Sequence, residues 1–106
     1  DDIRESPAIV LIHLLLKAGC LIRVYDPVAM SECKKIMGDV VTYCIDKYEC
    51  VVDADALLVV TEWKEFRIPS WDILNKVMNT PLIIDGRNIY DKQEMKEYGF
   101  QYYSIG

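Results

Sequence analysis

Between Pro7 and Gly19 the apolar residues Ala8, Leu11, Ile12, Leu15 and Leu16 recur at spacings of three and four. That period predicts a helix burying one broad face. Ser6 ahead of Pro7 supplies an N-cap and a first helical residue, and Gly19 supplies the left-handed residue beyond the last turn. Leu21 to Tyr25 is rich in branched and aromatic side chains, which predicts a short strand stopped by the Asp26-Pro27 turn signal. The same grammar then recurs. Ala29 to Met37 reads as a helix, Val40 to Tyr43 as a short edge strand, and Lys47 to Val52 as a brief helix. Ala56 to Val60 is a continuous apolar run, the pattern of a strand covered on both faces. Ser70 caps a helix carrying Trp71, Leu74 and Met78, and Pro81 precedes a second fully apolar strand, Leu82 to Ile84. Asp85-Gly86-Arg87-Asn88 closes that strand, and a helix from Lys92 to Tyr98, a stop at Gly99 and a strand from Gln101 to Ser104 complete the chain.

Strands alternating with helices across short loops predict an α/β fold. The expected form is a Rossmann-like, doubly wound, mainly parallel sheet with helices on both faces. No repeat, low-complexity tract or linker interrupts the chain, so residues 1–106 read as a single domain.

Composition narrows the function. The chain has 106 residues, room for one domain of ordinary size but not for a complete two-domain enzyme. Its net charge of −5 argues against a surface built for nucleic acid. The longest apolar run, Ala8 to Leu16, is broken by His13 and is shorter than the roughly 18 residues a membrane span needs. Asp1 to Arg4 lacks the basic start of a secretory signal. Cys20, Cys33, Cys44 and Cys50 form no C-x-x-C pair, and the chain's one histidine cannot complete a zinc set with them, which predicts free buried thiols in a reducing, cytoplasmic setting rather than zinc or disulfides.

Ligands of open α/β sheets bind beyond the carboxyl ends of the strands. That rule selects Arg4, Glu5 and Ser6 before the first helix, Asp26, Glu62 with Trp63, and Arg87. Two arginines near a helix N-terminus suit a diphosphate, because guanidinium offers paired donors to phosphate oxygens. Arg87 stands out, since an arginine in a tight glycine turn after a buried strand contributes nothing to packing. Arg4 also reads as a surface ion-pairing residue, Trp63 as a core plug or loop cover, and His13 as a satisfied core or interface histidine. No cysteine has a basic or histidine neighbour to activate it. The glycines at 19, 38, 86, 99 and 106 form neither G-x-G-x-x-G nor a Walker pattern, so the chain reads as one wall of a larger site.

Four ordered stretches carry a family resemblance: Asp-Asp-Ile-Arg-Glu-Ser-Pro-Ala at 1–8, Val-Tyr-Asp-Pro at 24–27, Ala-Asp-Ala-Leu-Leu-Val-Val-Thr-Glu-Trp at 54–63 and Ile-Asp-Gly-Arg-Asn at 84–88. Together they resemble the C-terminal UDP-binding domain of the UDP-glucose/GDP-mannose dehydrogenase family. The resemblance implies a cytoplasmic enzyme that oxidises the C6 hydroxyl of UDP-glucose to a carboxylate, reducing two NAD and giving UDP-glucuronate. It implies an N-terminal NAD-binding domain as partner and a homo-oligomeric parent enzyme. By motif, Arg4 approaches the NAD and Arg87 binds the UDP-sugar. The family's catalytic cysteine, lysine and aspartate have no counterpart here, so catalytic residues are expected to be none and the chain alone inactive. The domain's first strand is expected to be missing, which would leave apolar edges on its neighbours and favour self-association. The rival readings are a stand-alone nucleotide-binding module without catalysis and a dehydrogenase of the same family acting on another nucleotide sugar. A receiver-type signalling domain ranks lower, because no acceptor aspartate closes the Leu57 to Val60 run and no lysine follows a late strand.

Overall fold

The computed structural model describes residues 6–105, which divide into two compact units at Cys50 and Val51.

The first unit opens with helix α1, Pro7–Lys17. The Ser6 hydroxyl accepts the Ile9 N–H at 3.3 Å, satisfying one of the amides that a helix start leaves without an intrahelical partner. Gly19 adopts φ +91° past the other end, and the Gly19 and Cys20 amides donate back to the Leu16 and Leu15 carbonyls, both at 3.0 Å. A side chain would be strained at that φ, so glycine ends this helix. Strand β1, Arg23–Val24, is followed by helix α2, Met30–Met37, and strand β2, Thr42–Tyr43. The two strands pair in parallel, Arg23 opposite Thr42 and Val24 opposite Tyr43. Their shared core is Ile9, Met37 and Val41, packed against Ile12, Leu16, Ile22, Val24, Cys33, Ile36 and Tyr43. The brief helix expected at 47–52 is a 3-10 turn, Glu49–Val51. His13 is exposed, which corrects its reading as a core residue. It lies on the flank of the α1 stripe with the exposed Val10, Leu14 and Lys17, while Ile9, Ile12 and Leu16 face the core.

The second unit holds strand β3, Leu57–Val59, helix α3, Trp71–Val77, strand β4, Leu82–Asp85, helix α4, Lys92–Glu97, and strand β5, Gln101–Ser104. The strands are parallel in the order β3-β4-β5, with Leu57, Ile83 and Tyr102 in one row and Leu58, Ile84 and Tyr103 in the next. Ser70 and Asp91 cap the two helices, accepting the Ile73 and Glu94 amides at 3.4 and 2.9 Å. Trp71 is ringed by Tyr90, Tyr98 and Phe100, with centroids 5.0 to 5.5 Å away. Parallel sheets with alternating helices bear out the Rossmann-like α/β expectation. The coverage of β4 is uneven, however. Ile83 is 0% exposed and Ile84 36%, because successive residues of a strand point to opposite faces and the buried one carries Ile83 and Asp85.

Candidate functional site

The carboxyl ends of β3 and β4 come together through one short backbone contact. The Gly86 amide donates to the Val59 carbonyl at 2.8 Å, and a Cβ at residue 86 would stand 3.1 Å from that same oxygen. Only glycine lets the two strand ends approach this closely without displacement.

Asp85, the last residue of β4, is 0% exposed. Burying a carboxylate is costly unless its oxygens are satisfied, and here they are. Oδ1 accepts the Arg87 N–H at 3.0 Å. Oδ2 accepts the Ile89 and Tyr90 N–H groups at 2.9 and 3.0 Å and the Tyr102 hydroxyl at 2.7 Å. The turn from 86 to 90 is therefore wrapped around one side chain. Asn88 takes φ +55° within it, a left-handed conformation that asparagine tolerates better than most residues. Tyr90 in turn donates its hydroxyl to the Phe66 carbonyl, in the 3-10 turn Lys64–Phe66 that follows β3. Burial, then the hydrogen bond and negative charge of Asp85, push the Tyr102 phenol from 10.0 up to about 12.

Arg87 leaves this turn half exposed, its Nη2 3.5 Å from Glu62 Oε2, with side-chain exposures of 48% and 50%. A single contact between half-exposed charges contributes little stability. What the turn fixes is the Arg87 backbone, at a strand end, the place where open α/β sheets gather ligands. Trp63 is exposed at 37% beside Glu62, which corrects its reading as a core plug and agrees with that of a loop cover.

Other candidates separate from this cluster. Asp26 is absorbed by structure, its Oδ1 accepting the Val28 and Ala29 amides at 2.8 Å ahead of α2. Arg4 and Glu5 lie outside the described residues. The four cysteines are free thiols, and Cys20 is exposed rather than buried. Burial raises the thiols of Cys33 and Cys44, and burial followed by the charge of Cys44 pushes Cys50 from 9.0 up to about 12. Such thiols are poor nucleophiles. Among the described residues no three His, Cys, Asp or Glu side chains are grouped to hold a metal, and no helix is long and apolar enough to cross a membrane. A cavity of about 510 Å³ lined by Asp91, Lys92, Gln93, Lys96, Phe100 and Tyr102 includes neither Arg87 nor Glu62. The strand-end rule and the fixed turn favour Arg87 over that cavity.

Asp85 and Tyr102 are the residues that sequence reasoning missed. An acidic residue directly after a fully apolar strand and before glycine is the signal that could have found Asp85, since aspartate side chains organise the turn that follows them. Tyr102 carried no such signal.

Parallel α/β architecture with helices between its strands defines the class, a Rossmann-like domain. Residues 1–92 match the UDP-binding domain of the UDP-glucose/GDP-mannose dehydrogenase family, and the chain belongs to that family. It is 44% identical over 106 residues to a UDP-glucose 6-dehydrogenase of Rhizobium meliloti (strain 1021), the match covering 100% of this chain and 24% of the relative. A UDP-glucose 6-dehydrogenase of Pseudomonas aeruginosa is 42% identical over 111 residues, covering 100% of this chain and again 24% of the relative. The chain thus spans about a quarter of the length of these relatives. Among solved structures, the NDP-N-acetyl-D-galactosaminuronic acid dehydrogenase from Methanosarcina mazei Go1 superposes with a TM-score of 0.78 at 32% identity, over 99% of this chain and 21% of that one.

Proposed function

We propose that residues 1–106 serve as the UDP-sugar-binding domain of a cytoplasmic, homo-oligomeric, NAD-dependent UDP-glucose 6-dehydrogenase, which oxidises UDP-glucose to UDP-glucuronate. Arg87 binds the diphosphate of the sugar nucleotide, and Arg4 approaches NAD at the face toward the NAD-binding domain. The observation that carries this reading is Arg87 itself, presented from a carboxylate-locked turn at a strand end in a chain matching a UDP-binding domain. The described residues do not form a dinucleotide cradle. Gly19, Gly38, Gly86 and Gly99 stand singly, so NAD falls mainly to the rest of the enzyme.

Calorimetric titration of the chain with UDP tests the assignment. Arg87→Ala is expected to weaken UDP binding by about 10- to 100-fold, the usual worth of a hydrogen-bonded charge pair, and to leave uridine binding unchanged. Equal UDP affinity in the variant would remove Arg87 from the site. The chain alone is expected to reduce no NAD when supplied with UDP-glucose, and turnover would overturn its reading as part of a larger enzyme. A second reading, a different nucleotide sugar as substrate, draws on the relative named for an N-acetyl-D-galactosaminuronic acid. Competition between UDP-glucose and a UDP-N-acetylhexosamine at the assembled enzyme separates the two.

A further inference from the structure

We infer that Asp85 is a positioning residue for nucleotide binding: its buried carboxylate shapes the 86–90 turn so that Arg87 reaches the diphosphate, and it does so without touching the ligand. The inference rests on the Arg87 reading.

A carboxylate at the end of a core strand is a poor choice if stability is the only demand, because an apolar side chain of similar size fills such a site as well or better. What the carboxylate supplies is direction. Amides from residues 87, 89 and 90 converge on its two oxygens, which dictates the path of the backbone on both sides of Asn88. The Arg87 amide is the one held by Oδ1, so the Cα from which the guanidinium projects is tied directly to β4. Tyr102 anchors the same Oδ2 by its hydroxyl, from the adjacent strand β5. Through the Tyr90 hydroxyl the same arrangement reaches the loop after β3, whose Glu62 pairs with Arg87. Both loops that bracket the guanidinium therefore refer to one carboxylate. A site held this way loses affinity when its support loosens, even though no contact to the ligand has been removed.

The test is a double-mutant cycle on the full chain, with Asp85→Asn, Arg87→Ala and their combination titrated with UDP and with uridine. Amide hydrogen exchange is followed at Arg87, Ile89 and Tyr90, with Ile83 and Met95 as core references. Asp85→Asn keeps the size of the side chain and replaces one acceptor oxygen by a donor. It is expected to weaken UDP by about 5-fold or more, a coupling of the size seen between residues in one network, and to leave uridine unchanged. In the Arg87→Ala background it is expected to cost nothing further. Exchange should accelerate at 87, 89 and 90 and not at the core references. Unchanged UDP affinity in Asp85→Asn, equal losses for UDP and uridine, or the same loss with and without Arg87 would each overturn the inference.

If Arg87→Ala alone binds UDP as well as the parent chain, the Arg87 reading fails. The exchange arm then still decides whether Asp85 holds the turn. Tyr102→Phe covers the case in which Asp85→Asn does not fold. It removes one of the four donors and is expected to show the same selective pattern at about 2-fold, the low end of a single hydrogen bond. Equal losses for UDP and uridine in Tyr102→Phe, or none for either, would count against the inference.

Discussion

The two units of the chain solve the same problem with different means. The first, ending at Cys50, centres on Ile9, Met37 and Val41 and is organised by apolar packing between α1, α2 and a two-stranded sheet. The second, starting at Val51, places a buried carboxylate beside Ile83 in a three-stranded sheet. Apolar packing tolerates adjustment, because nearby side chains slide into altered space. A carboxylate with four fixed donors does not adjust, and the unit that has one is also the unit that presents Arg87. The second unit thus holds the turn that carries Arg87 by directional bonds to one buried carboxylate, while the first is centred on apolar packing.

The strongest challenge to this contrast is Asp85→Ala. It leaves three amides and a phenol without their acceptor, and a loss of about 3–5 kcal/mol in urea unfolding is expected, the cost of removing one partner from a buried charged arrangement. Both tryptophans, Trp63 and Trp71, belong to the second unit, so their fluorescence reports on it. A loss below about 1 kcal/mol would mean that the turn does not depend on the carboxylate. Ile9→Ala in the first unit is expected to cost about 2–4 kcal/mol, as truncations of buried aliphatic side chains do, with no selective effect on UDP affinity. Selective weakening of UDP by this variant would erase the division of labour between the units.

Alkaline titration gives a smaller and graded comparison. Cys50 in the first unit has its folded value raised from 9.0 to about 12, and Tyr102 in the second from 10.0 to about 12. Both acids hold their proton more tightly in the folded chain. Their contribution is therefore complete below the unfolded value and is lost as pH rises toward the folded one. Stability should begin to fall near pH 9 through Cys50 and fall further between pH 10 and 12 through Tyr102. Cys50→Ala is expected to flatten the first part of that decline and Tyr102→Phe the second, read from urea midpoints across the range. A variant with the parent's pH profile would exclude its residue as a source. The smallest effect belongs to Glu62→Gln. The pair with Arg87 is half exposed and 3.5 Å long, so stability should change by less than about 0.5 kcal/mol. UDP should bind about 2-fold tighter once a negative charge is removed beside the diphosphate.

Where the sequence could be read, the governing interactions were local. Ser6, Pro7 and Gly19 delimit α1 because caps act within a few residues, and Gln101 to Ser104 forms the strand expected there. Strands β1, β2 and β3 pair over shorter stretches than expected, as with Leu57–Val59 inside Ala56 to Val60, because a ladder extends only as far as a partner lies opposite, whereas β4 runs one residue past its apolar run to Asp85, which pairs with Ser104. Arg87 was legible from its place after an apolar strand. Asp85 was not, because its role depends on Tyr102, 17 residues further along, and on amides that converge only once the turn has formed. His13 was misplaced for a related reason: a helical stripe has flanks, and period alone does not say how wide a neighbouring surface will cover it.

The Asp85-Gly86 step also bears on how the protein ages. In an open peptide, aspartate followed by glycine is prone to cyclise, the glycine nitrogen attacking the side-chain carboxyl to give a succinimide and then isoaspartate. Here that nitrogen's proton is committed to the Val59 carbonyl and the carboxyl group is pinned by four donors. The folded chain shields its own most vulnerable peptide link, and isoaspartate at residue 85 becomes a chemical record of how long a molecule has spent unfolded.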